Sequence, residues 1–99
     1  MATSTIKNYY QNLTVMSKII SDGSTVAKDA YKSYSKNIEE TGYVALGIMS
    51  VRKGGAAGGY CAIANYAVLN NTTAEVGVLN KGTGTATPSI TVDVLYMKQ

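Results

Sequence analysis

The sequence predicts an all-β fold: an antiparallel β-sandwich, a jelly-roll-like Greek key of about six to eight strands. Three observations carry that expectation. The last quarter, from Thr72 to Met97, holds two runs with the period-two alternation of strands. Ala74, Val76 and Val78 share one face of the first run, and Ile90, Val92, Val94 and Tyr96 share one face of the second. The composition leans to Val, Ile, Ala, Leu, Ser and Thr with 8 tyrosines and neither Phe nor Trp, a mixture that suits strands and turns better than helices. Gly, Asn and Asp signals punctuate the apolar runs, as at Asp22-Gly23 and Asn70-Asn71.

A chain of 99 residues makes one domain with one core, and 45% apolar against 15% charged residues fits an ordered globular chain. The net charge of +3 comes from lysines scattered along the sequence, without the clustering that a nucleic-acid binder shows. No apolar run approaches the roughly 18 residues of a membrane span, and Met1-Ala2-Thr3-Ser4 lacks a signal-peptide pattern. Neither nucleic acid nor membrane is an expected partner. Cys61 is the single cysteine, so no disulfide forms within one chain, and its strand-like surroundings mark it as a small buried hydrophobe. Synthesis in a reducing cytoplasm is the expectation.

Residues 1–11 read as an N-terminal extension partly ordered by a neighbouring subunit, and residues 12–99 as the single domain. Ile6, Tyr9, Tyr10 and Leu13 have helical spacing, but Tyr and Thr are mediocre helix formers. Asn12 to Ile20 is a strand with Leu13, Val15 and Ile19 inward and Ser17 as the weak position. After the Asp22-Gly23 turn, Ser24 to Lys28 reads as a short edge strand. Tyr31 to Ile38 reads as an exposed strand whose lysines guard it against edge-to-edge pairing. Glu39 to Gly42 turns the chain. Tyr43 to Val51 is apolar on both faces, with Tyr43, Ala45 and Met49 on one and Val44, Leu46 and Ile48 on the other. Such a strand is central in a sandwich or covered by a second subunit. Arg52 to Gly59 reads as a flexible glycine loop, Tyr60 to Leu69 as another strand apolar on both faces, and Asn70 to Thr73 as a turn. The two terminal runs then close the domain as a pair folded back on each other around the loop Asn80 to Ser89. Two strands with two apolar faces exceed what a small core needs, so a homo-oligomer is expected, a trimer by preference.

Chemistry is harder to find. Histidine is absent, which removes Ser-His-Asp and Cys-His catalysis and leaves a zinc site with one Cys and carboxylates at most. Of the acids, Asp22, Asp29, Glu39 and Glu40 sit in or beside turns, while Glu75 and Asp93 are placed to face each other across the closing pair. The glycines after Lys53 are not a P-loop, because Tyr60-Cys61 follows them instead of Lys-Ser/Thr. Asn12-Leu13-Thr14 and Asn71-Thr72-Thr73 match the glycosylation acceptor only as an Asn- and Thr-rich chain does by chance, and Asp22 alone is too little for calcium. No catalytic residue, cofactor or metal is expected. Tyrosine suits contact surfaces and sugar recognition. Loops on a rigid sandwich carry variable contacts. The candidate contact residues are therefore Arg52, Lys53, Tyr60, Lys81, Thr83 and Thr85 in the two loops, with Tyr31 and Tyr34 as exposed aromatics.

Gly42-Tyr43-Val44-Ala45-Leu46-Gly47-Ile48, a Gly/Ala loop, Tyr60-Cys61, the run Asn71 to Asn80 and the ending Ile90-Thr91-Val92-Asp93-Val94-Leu95-Tyr96 together form a pattern. It resembles the C-terminal β-rich domain of minor structural proteins from phages of Gram-positive gut bacteria, over roughly residues 14 to 97. The resemblance implies a non-enzymatic virion component made in the bacterial host cytoplasm: a fibre tip, a knob or a capsid decoration, typically trimeric. Its implied partners are sister copies, other virion proteins and a host-surface glycan. So little sequence before the domain favours a stand-alone decoration or cement protein over a fibre tip. Two other readings stand beside it: a monomeric bacterial carbohydrate-binding or adhesin module with an exposed tyrosine platform, and a small carboxylate-dependent hydrolase.

Overall fold

Alternation of apolar and polar side chains builds six strands among the residues that the computed structural model describes, 12–99: β1 (Leu13–Ile19), β2 (Tyr31–Asn37), β3 (Tyr43–Ala56), β4 (Cys61–Leu69), β5 (Thr73–Asn80) and β6 (Thr87–Lys98). They form two antiparallel three-stranded sheets, sheet I in the order β1-β6-β3 and sheet II in the order β2-β5-β4. The all-β sandwich is thus the observed architecture. The expected contact of residues 1–11 with a neighbour lies outside the described residues.

The closing pair is not a hairpin. β5 pairs with β2 and β4, and β6 pairs with β1 and β3, so each is the middle of its own sheet. The two predicted apolar faces meet across the sandwich instead of side by side. Ala74, Val76 and Val78 from β5 and Ile90, Val92, Val94 and Tyr96 from β6 are all fully buried in one core cluster. Complete burial of a Val or Ile side chain stabilises by about 1.5–3 kcal/mol each, so this seam is the largest apolar contribution. The Tyr96 hydroxyl donates to Ile38 O, and Tyr43 meets the Tyr96 ring edge-on with centroids 6.3 Å apart.

β6 also decides the phase of β1, and here the expectation is corrected. Val15 and Ile19 are 52% and 61% exposed, while Met16 packs on the core and Ile20 is buried. Directly paired residues share a face, and Ser17 pairs with Asp93, whose neighbours Val92 and Val94 are committed inward. Ser17, Val15 and Ile19 therefore follow Asp93 outward. Ser24 to Lys28 is not a strand; it contributes one isolated bridge, Val26 to Ala86. β2 is an edge strand, as its lysines suggested. Asn70 and Asn71 both have positive φ, 52° and 59°, and Thr72 N bonds Leu69 O at 3.0 Å, which closes a tight turn between β4 and β5.

β3 is longer and placed differently from expectation. It is an edge strand of sheet I, not a central one, and it continues through Arg52, Lys53, Gly54 and Gly55 to Ala56. The glycines pair with β6 instead of forming a loop: Gly54 opposes Ser89 and Gly55 opposes Pro88. Pro88 lacks an N–H and is tolerated because pairing with β1 has already ended at Ile19 and Thr91. Gly55 is required by this approach. Its φ is +80°, and a Cβ there would lie 2.6 Å from Thr87 O and 2.8 Å from Ser89 N, both backbone atoms. Only glycine occupies such a position without displacing β6.

Gly55→Ala is expected to destabilise the fold by about 2–4 kcal/mol in urea denaturation. Gly58→Ala, whose Cβ would make ordinary 3.5 Å contact with Pro88, serves as the comparison and costs distinctly less. Equal midpoints for the two variants would refute the close approach.

Candidate functional site

One end of the sandwich is assembled by a single buried amide. Asn80 closes β5 and is fully buried. Its Nδ2 donates to Val26 O at 3.0 Å and to Gly84 O at 2.8 Å, and its Oδ1 accepts from Gly82 N at 2.9 Å. Its backbone bonds Ala30 O and Asp29 N at 3.0 and 2.9 Å. One side chain thus pins the loop that crosses from sheet II to sheet I against the segment before β2. The site was not anticipated from sequence. The signal was present in Asn80-Lys81-Gly82, where an Asx side chain commonly caps the backbone two residues on.

The chain between β3 and β4 reaches the same end. Ala57 adopts a left-handed φ of 57°, and Gly58–Tyr60 makes one turn of 3-10 helix. Tyr60 O accepts from Lys81 N at 3.0 Å. A Cβ on Gly82 would lie 2.7 Å from Tyr60 Cβ, so the tyrosine stands directly over that glycine, 61% exposed. Thr83 and Thr85 are exposed in the same loop as Gly82, and Lys81 reaches Asp29 at 3.5 Å. The structure therefore gathers Tyr60, Lys81, Thr83 and Thr85 on one held surface.

The other expected contact residues go elsewhere. Lys53 lies in β3, and its Nζ donates to Cys61 O at 2.6 Å and Gly59 O at 3.4 Å, bracing the turn. Arg52 lies on the outer face of sheet I, where Nη2 and Nε bond Asp93 Oδ1 and Oδ2 at 2.8 and 3.1 Å. Tyr31 is 48% exposed on the outer face of sheet II, laid over Gly77 and within 3.2 Å of Asn65 Nδ2. Tyr34 is 2% exposed and donates to Ser24 O at 2.9 Å, which corrects its place among exposed aromatics. Residues three apart on a strand face opposite ways, so Tyr31 and Tyr34 do not form one platform. Cys61 is buried, as expected of a lone thiol.

The carboxylates do not meet. Glu75 belongs to the outward register of sheet II and Asp93 to that of sheet I, so the pairing expected between them does not exist. Asp22 accepts from Ser24 N and Oγ, which lowers its pKa, Glu39 accepts from Asn37, and Glu40 pairs with Lys18. Among the described residues no group of three or more His, Cys, Asp or Glu gathers to hold a metal, and no pocket is found.

Asp93 carries the strongest electrostatic signature. Besides Arg52, Ser17 Oγ donates to Oδ1 at 2.6 Å and Ser50 Oγ donates to Oδ2. The serine donors first, then Arg52, hold its pKa down at about 2. The cluster ties β1, β6 and β3 into one polar rung across sheet I.

Asn80→Leu removes three side-chain hydrogen bonds around a buried node and is expected to cost about 2–4 kcal/mol by denaturation, with the Tyr60 surface loosened. Asp93 makes a pH-dependent contribution. Its folded pKa is depressed below the ordinary 3.8, so its stabilisation is present above that value and is lost as pH falls through about 2. The stability gap between wild type and Asp93→Asn is accordingly expected to narrow on acidification across that window; a gap independent of pH would refute the cluster's role. Comparisons of the chain with protein-family models, with curated proteins and with solved structures each return no match.

Proposed function

We propose that this chain is a non-enzymatic structural protein of a phage virion, a fibre tip, knob or capsid decoration, that assembles as a homo-oligomer and presents one end to a host-surface glycan. The observation that carries the assembly reading is the exposure of eight large apolar side chains, Val15, Ile19, Tyr31, Leu46, Met49, Tyr60, Tyr66 and Leu69, each 41–61% accessible. A domain of this size has little reason to leave so many in water unless sister copies cover some of them. β3, which holds Leu46 and Met49, carries one of the segments on which the sequence resemblance rests, Gly42 to Ile48.

Glycan contact is supported by the Tyr60 end. A tyrosine ring held over Gly82, with exposed Thr83, Thr85 and Lys81 in the same loop as that glycine, offers a stacking face and hydrogen-bonding groups on an Asn80-anchored loop. The reading as a monomeric carbohydrate-binding or adhesin module expects an exposed tyrosine platform; Tyr31 is exposed but Tyr34 is buried, which weighs against a platform on that strand. A jelly-roll-like arrangement of the strands, with a trimer as the preferred assembly, belongs to the same proposal.

Native mass spectrometry of the full chain at micromolar concentration is expected to show a homo-oligomer, and a strict monomer would overturn the assembly reading. On a glycan array, Tyr60→Ala is expected to abolish binding that Tyr31→Ala leaves intact; equal loss in both variants would refute the assignment of the Tyr60 end.

A further inference from the structure

The two outer faces of the sandwich differ in how much apolar surface they expose. Sheet II turns Ser33, Ser35, Asn37 and Glu75 outward, with Tyr31 and Leu69, 48% and 42% exposed, and half-buried Leu79 among them. Sheet I turns outward Val15, Ile19, Leu46 and Met49, which are 52%, 61%, 41% and 61% exposed, alongside half-buried Leu95 and Met97. Two register shifts in β3 contribute to this. The irregularities between Ala45 and Gly47 and between Ile48 and Ser50 each insert one residue, and the inserted residues are Leu46 and Met49. Bulges re-aim side chains, and both of these add exposed apolar surface.

We infer that the outer face of sheet I is where a second copy of this chain packs, sheet against sheet. The inference rests on the homo-oligomer reading above and names its surface. Its charges are already prepared for loss of water. Asp93 and Arg52 are the charged residues in the outward register of that face, and they neutralise each other. Both carboxylate oxygens accept hydrogen bonds, from Ser17 and Arg52 on one side and from Ser50 and Arg52 on the other. A charge that is paired and hydrogen-bonded is the kind an interface tolerates. A face with no net charge also meets its own copy without repulsion, which a basic chain of net charge +3 needs from its contact surface.

The size is sufficient. β6 has 12 residues. At ~3.3 Å per residue and ~4.8 Å between strands, and with β1 only 7 residues long, the face measures about 500 Å² per copy. Two copies then bury about 1,000 Å², which reaches the lower bound of a specific interface. Facing sheets would interlock at the ~10 Å separation of an ordinary sandwich, with Val15, Ile19 and Met49 filling the layer.

The test is sedimentation equilibrium of the full chain and three variants at micromolar concentration, with circular dichroism and a thermal melt to verify folding. Val15→Glu/Met49→Glu places charge on the face. Val15→Thr/Ile19→Thr keeps strand propensity while removing apolar surface, so a folded variant is secured. Tyr66→Glu on the β4 edge is the control. An oligomeric wild type whose dissociation constant rises at least about tenfold in both face variants, but not in Tyr66→Glu, supports the inference. An oligomer that survives both face variants overturns this assignment and leaves the homo-oligomer reading standing. A monomeric wild type overturns both.

Discussion

The structure depends on one constraint: two strands adjacent in sequence, β5 and β6, face each other across the core and do not pair with each other. Each is the middle strand of a three-stranded sheet, and each directs an unbroken row of small and medium apolar side chains at the other. The chain must therefore step from one sheet to the other, about 10 Å, within the residues between Asn80 and Thr87. That step leaves backbone polar groups without ladder partners, and Asn80 answers them with a side-chain amide that reaches Val26, Gly82 and Gly84. The crossover and the buried amide are one feature. The exposed surface around Tyr60 exists because the loop over which it stands is held in this way.

The same central strands set what remains exposed. Once β6 commits Val92 and Val94 inward, Asp93 and Leu95 are outward, and the partners at matching register on β1 and β3 follow. Sheet I consequently exposes Val15, Ile19, Leu46 and Met49 on its outer surface around a self-neutralised Asp93–Arg52 cluster, while sheet II exposes Tyr31 and Leu69 among polar residues. That imbalance favours sheet I as the face a subunit buries. A rigid end bearing a tyrosine, with an apolar face set apart from it, is the division of labour the proposed virion role calls for.

Local pattern carried much of the architecture. The alternation in Ala74 to Val78 and in Ile90 to Tyr96 identified the two innermost strands and their buried faces, because period-two burial is a property of the strand itself. Asn70-Asn71 announced its turn for an equally local reason, since asparagine tolerates positive φ. The lysines of β2 marked an edge. Of the candidate contact residues, Tyr60, Lys81, Thr83 and Thr85 lie at one end of the sandwich, held around Asn80.

What sequence alone did not decide is relational. Whether β5 and β6 pair or face each other depends on which strands flank them, and alternation is identical in both arrangements. The outward phase of β1 came from register against Asp93, so Val15 and Ile19, apolar and regularly spaced, read as core although they are surface. Arg52 to Ala56 read as a loop because four glycines nearby suggest flexibility, yet Gly55 is there so that β3 can lie against the backbone at Pro88. Tyr34 and Asn80 likewise took their roles from distant partners at Ser24 and Val26. Sequence by itself determined most of the extended runs and the alternation of apolar side chains along them, because those follow from the strand's own geometry. Tertiary structure decided which face is inside, which edge is free and which polar groups meet, because each of those requires a neighbour that the local chain does not contain.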